Sequence, residues 1–114
     1  MNPIQNWFET MRQIWLEKRP DDIGALLSDE GFQFHEHPFQ DALTTKEEVI
    51  EVWQEIKSQE IDYVTINILY ENSHIGVAEW RFKMRGEPLH IGSYFLKLDD
   101  YGKCTEFRQW WTVE

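Results

Sequence analysis

Cysteine is nearly absent from this 114-residue chain: there is one, Cys104. No intramolecular disulfide can form, which fits a reducing compartment. Positive charge is also scarce, with 11 Lys and Arg against 21 Asp and Glu and a formal net charge of −10. Such a surface repels nucleic-acid phosphates and anionic lipid headgroups, so no nucleic-acid partner and no membrane partner is expected. The acidity itself is read as a solubility device. No stretch approaches the length of a membrane span. The opening MNPIQNWFETMRQIW has no basic region followed by an apolar run, so no signal peptide is read there and a cytoplasmic location is the expectation. The four prolines stand singly, and no repeat, low-complexity stretch or linker interrupts the chain. One domain over residues 1–114 is therefore expected, long enough to bury a core without crosslinks.

Aromatic residues are abundant instead, at 15% of the chain, with 6 Trp, 4 Tyr and 7 Phe. That is more than a small core requires, and several can line a cavity. The apolar spacing of Ile4, Trp7, Phe8, Met11, Ile14 and Trp15 predicts a helix over residues 4–18, capped by Asn2 with Pro3 at its first position. Asp21 or Asp22 is expected to cap a second, short helix with Ile23, Leu26 and Leu27 inward. A brief strand, Phe32 to His35, follows. Thr45 and Glu48 form a capping box for a third helix with Val49, Ile50, Val52, Trp53 and Ile56 on its apolar face. The remainder reads as four strands in meander: Tyr63–Tyr70, Ile75–Arg85, Leu89–Leu98 and Cys104–Val113. In the second of these, Ala78, Trp80, Phe82 and Met84 share one face, and Glu79 and Arg81 lie on the other. The facing of Tyr94 against Phe95 stays open. Helices first and an antiparallel sheet after make an α+β domain.

Three stretches carry a family resemblance. They are Phe34-His35-Glu36-His37-Pro38-Phe39 with the following Thr45-Lys46-Glu47-Glu48-Val49-Ile50, then Val77-Ala78-Glu79-Trp80-Arg81-Phe82, then Asp100-Tyr101-Gly102-Lys103-Cys104-Thr105-Glu106-Phe107-Arg108-Gln109-Trp110-Trp111. With the element order, they resemble the NTF2-like superfamily and its SnoaL-like domains. The resemblance implies a cone: a strongly curved antiparallel or mixed sheet wrapped around three helices from the N-terminal half, with a pocket at its open end. It also implies pairing through the outer face of the sheet, hence a homodimer. It does not fix a chemistry, because this fold hosts isomerases, epoxide hydrolases, cyclases, dehydratases and binding domains alike.

Steroid-isomerase relatives place a general-base Asp before the proline of the strand-to-turn segment. The matching residue here is His37, or His35 with a gap, and either imidazole can move a proton near neutral pH. No Tyr in the first helix supplies an oxyanion hole. Epoxide-hydrolase relatives use an Asp–Arg–Asp set, and the carboxylates are replaced here by Ala78 or Trp80 and by Thr112. His35 and His37, two apart on a strand, can face one ion with His90 as a third ligand. That pair lacks a further partner at diagnostic spacing, so neither metal nor cofactor is expected. Cys104 reads as a structural thiol. The family comparison sets Trp80 and Trp110 on the concave wall with Phe82 and Arg108, beside Trp15 and Trp53, for which core filling is an equal reading. Arg108 can orient a carboxylate ligand or bridge to Glu79 or Glu106. The leading expectation is an NTF2-like domain binding a small apolar or aromatic molecule. The alternatives are a proton-transfer isomerase, cyclase or dehydratase using His37 or His35, and a non-catalytic interaction module.

Overall fold

A computed structural model describes residues 2–114. The first helix, α1, spans Pro3–Leu16, and the Asn2 side chain accepts from the Gln5 amide at 2.9 Å. Its whole apolar stripe is buried. The helix stops two residues short of the predicted end because Lys18 turns left-handed (φ 56°). Around it, the Lys18 amide donates to Trp15 O at 3.2 Å and the Arg19 amide to Ile14 O at 3.0 Å. This pair closes the helix end as a Schellman turn, with a lysine where glycine is commonest.

Pro20–Leu26 is a tight 3₁₀ helix that buries Ile23 and Leu26. Asp21 and Asp22 do not cap it: both lie inside its first turn, and Arg19 occupies the cap position without a side-chain hydrogen bond. Strand β1, Gln33–His35, begins one residue after Phe32. Helix α2, Lys46–Trp53, opens on the Thr45–Glu48 capping box. It tightens into a 3₁₀ turn, Gln54–Ser58, that buries Ile56.

Strands β2 (Ile61–Glu71), β3 (Ile75–Met84), β4 (His90–Leu98) and β5 (Cys104–Val113) complete an open sheet in the order β1-β5-β4-β3-β2. The meander is antiparallel, and β1 joins β5 in parallel, which makes the sheet mixed. Gly86 and Gly102 take positive φ, 74° and 77°, in two of the three hairpin turns, those after β3 and β4, where other residues are strained. The helices cover one face of the sheet. Trp7 Nε1 donates to Leu26 O at 2.9 Å, and Arg12 Nε to Val64 O at 2.7 Å.

Alternation along β3 is as read: Ala78, Trp80 and Phe82 are buried, and Glu79 and Arg81 are exposed. Tyr94 takes the inner face with Leu96 and Leu98. In β5 the alternation slips. Cys104 pairs with Leu98 and Glu106 with Lys97, so Thr105 is an extra residue. Such a bulge lets Cys104 and Phe107 both point inward although they are three apart. Cys104 is fully buried, bridged to Leu27, and its carbonyl accepts from the Ser28 amide at 2.9 Å.

Candidate functional site

The concave face of the sheet and the helices leave a cavity of about 460 Å³ between them. Trp15 comes from the end of α1. Val52 and Trp53 come from α2, and Glu55, Ile56 and Gln59 from the turn after it. The sheet contributes Trp80, Phe82 and Met84 from β3, His90 and Tyr94 from β4, and Phe107, Gln109 and Trp111 from β5. Glu36, His37 and Gln40 reach in from the segment after β1. Each aromatic wall is held. Trp15 packs on Phe82 at 4.6 Å between ring centres, and its Nε1 donates to Gln59 Oε1 at 2.8 Å. Trp80 stacks on Tyr94 at 5.4 Å with a 17° tilt. That indole lies so close over Gly92 that a Cβ there would meet Trp80 carbons at 2.5 Å and Trp110 O at 2.2 Å. Only glycine fits.

Of the residues singled out from the sequence, the structure brings Trp15, Trp53, Trp80, Phe82 and His37 to this cavity. Three others are not there. The β5 bulge turns Phe107, Gln109 and Trp111 inward and sends Arg108 and Trp110 to the convex face, so neither lines the cavity. Trp110 is 45% exposed. Arg108 pairs through Nε with Glu106 Oε2 at 2.6 Å, the bridge option read from the sequence. His35 shares that outer side. Burial lowers its pKa, and the Arg108 charge lowers it further. His37 sits at the rim, its Nδ1 accepting from the Phe39 amide at 3.2 Å and its ring 6.4 Å from Trp111. His35 and His37 therefore do not converge, and no cluster of three metal-ligating side chains occurs among the described residues.

Glu36 is the polar residue that sequence reasoning passed over. The residue is half-buried overall, while its carboxyl is turned inside among the rings. Gln109 Nε2 holds it, donating to Glu36 Oε2 at 2.8 Å and to Glu36 O at 2.9 Å. Burial raises the Glu36 pKa to about 7. The nearby Glu55 charge adds to the rise, and the side chains of Trp53 and Gln109 oppose it by favouring the charged form. Tyr94, opposite Gln109 in the sheet, is buried, and desolvation followed by the Glu36 charge raises its pKa. The phenol thus stays protonated and can only donate or accept a hydrogen bond. The cavity therefore offers aromatic walls, one carboxyl able to gain or lose a proton near neutrality, one neutral hydroxyl, and further polar groups from Gln59, His90 and Gln109. A signal for Glu36 was present in the sequence. Phe32 and Phe34 alternate inward, and Glu36 is the next residue in that row.

This geometry sets a pH dependence. The folded chain keeps the Glu36 proton up to about pH 7, whereas an unfolded glutamate releases it near 4.5. Between those values the native state binds the extra proton, so stability falls as pH rises, and the loss is complete above pH 7. Glu36→Gln removes the effect. Its stability relative to the parent should be near zero at pH 4 and rise to about 3 kcal/mol in favour of the variant at pH 8. Urea unfolding of both proteins across that range measures it, and parallel profiles would show that the carboxyl is not held as described.

No family model matches the chain, and neither does any curated protein sequence. Solved structures do. A computationally designed 17-OHP binder superposes with a TM-score of 0.78 at 14% identity, covering 100% of this chain and 98% of that one. A steroid delta-isomerase from Pseudomonas aeruginosa gives 0.74 at 12% identity, covering 98% and 81%. An NTF2-like protein from Anabaena variabilis gives 0.73 at 14% identity, covering 98% and 88%. At these identities the likeness is one of fold, and with three helices on one side of a five-stranded mixed sheet, the chain has the NTF2-like cone fold.

Proposed function

We propose that the chain binds a small, largely apolar molecule in the cone. The observation that carries this reading is the cavity of about 460 Å³ walled by Trp15, Trp53, Trp80, Phe82 and Trp111. That volume lies within the range of ligand pockets, and apolar walls with few polar groups are their usual make-up. A neighbouring fold that is a designed 17-OHP binder adds support. Truncating Trp80 is a poor test, because loss of a buried indole costs about 3–5 kcal/mol of stability by itself. Val52, partly exposed on α2 and lining the cavity, is the better position. N-phenyl-1-naphthylamine should bind saturably with enhanced emission. Val52→Trp should fill the cavity and weaken that binding at least tenfold with an unchanged circular dichroism spectrum. Absence of saturable binding, or equal binding by the variant, would reject the reading.

A second reading, proton transfer, is favoured by Glu36 more than by the histidines first considered. The carboxyl is in the cavity with the neutral Tyr94 hydroxyl, whereas His37 is at the rim and His35 is outside. As a base, Glu36 must be ionised, so exchange of the α-hydrogens of cyclohexanone into deuterated buffer should accelerate as pH rises through about 7. Glu36→Gln should abolish the acceleration and His37→Gln should retain it. The reverse pattern would return the role to His37.

The homodimer also belongs here. The convex face presents Tyr63, Ile91 and Trp110, each more than a third exposed, with Trp110 opposite Ser93 in the sheet. A face of this kind favours self-association through an apolar centre. Sedimentation velocity should give twice the chain mass, falling to the single chain in Trp110→Lys. A monomeric parent protein at micromolar concentration would remove the proposal.

A further inference from the structure

The charges around the cavity are of one sign. Glu36 and Glu55 line it, and among the described residues no Lys or Arg does. No cationic side chain among the described residues forms an ion pair with Glu36; the partners of its carboxyl are the neutral Gln109 amide, at 2.8 Å, and the Trp53 side chain. The groove beside the mouth, which shares Glu55, Gln59 and Met84, adds Glu60 and Glu87 against a single Arg85. An anionic ligand would meet repulsion along this approach and again inside. A neutral ligand would leave the carboxyl without a counter-charge, so that above about pH 7 it is a buried, unpaired carboxylate, which low-dielectric surroundings penalise. The indoles complete the pattern. Trp15 stands at 68° to Trp53 and 61° to Trp80, with centres 6.0 and 6.5 Å apart, so the rings form a corner. Ring faces carry the negative lobe of the aromatic quadrupole and attract alkylated ammonium groups.

Resting on the reading of the cavity as a ligand site, we propose that its ligand is an organic ammonium ion, with the alkylated nitrogen held against the Trp15–Trp53 corner and Glu36 as its counter-charge. The apolar walls take the carbon framework. The acidic mouth draws the cation in, and Glu55 gives a weaker second attraction at the rim.

The test compares two molecules of nearly one shape, 3-methoxyphenyltrimethylammonium and 3-tert-butylanisole, neither of which titrates, by calorimetry at pH 8 and low salt. The ammonium ion should bind at least tenfold more tightly. Glu36→Gln should bring the two affinities together by weakening the cation far more than the neutral ether. Glu55→Gln, altered only at an exposed rim position, should reduce the preference by a smaller factor, which gives a second readout independent of the buried carboxyl. Equal binding of both molecules by the parent protein, or a preference for the neutral ether, overturns the ammonium proposal and leaves the apolar-pocket reading standing. Binding of neither overturns both.

Discussion

Three stacked rings set the geometry on which everything else rests. Phe8 of α1 lies on Tyr94 of β4 at 5.8 Å, and Tyr94 lies on Trp80 of β3 at 5.4 Å, both pairs nearly parallel. The stack fixes the distance between helix and sheet at one point and ties two strands to the same helix. Stacked pairs of this kind contribute about 0.5–1.5 kcal/mol each beyond the area they bury. Their larger effect is geometric. The helix is held over one half of the concave face, the core closes there, and the other half is left as cavity. Gly92 is the counterpart on the strand side, since any side chain would displace the Trp80 ring and with it the wall.

Against that frame, the position of Glu36 is costly for folding and useful for chemistry. An apolar cavity is a poor place for a carboxylate, and the fold offers one amide and several ring edges rather than a cation. The group is left balanced between its two protonation states near neutral pH. A carboxyl in that condition responds to whatever enters: an acidic C–H, a hydrogen-bond acceptor or a positive charge each shifts the balance. Both readings proposed for the cavity, ligand binding and proton transfer, rest on this one residue.

Most of the fold was legible because its signals are local and redundant. The α1 stripe, the Thr45–Glu48 box and the β3 alternation each rest on a few neighbouring residues, and all are present. The site was legible only where such signals extended. Trp80 and Phe82 follow from the β3 alternation, and Trp15 and Trp53 from helical spacing. The misplacement of Arg108 and Trp110 has one cause, the extra residue at Thr105. Parity counted from the start of β5 is inverted beyond it, and Trp110-Trp111 offers an aromatic residue to either face. Glu36 is hard to place from sequence because it lies one residue beyond the end of β1. A strand period carries the row from Phe34 to Glu36, whereas His37 reaches the rim only because the strand ends at His35.

The sealed thiol at the start of β5 gives the molecule an internal clock. Cys104 lies on the seam where the N-terminal half, through Leu27 and Ser28, meets the last two strands. Burial holds its pKa well above that of a free cysteine, so almost no reactive thiolate exists while the seam is closed. Alkylation therefore counts partings of the seam rather than encounters at the surface. With only one cysteine in the chain, every label marks this one seam, and the protein reports its own local unfolding there without an added probe.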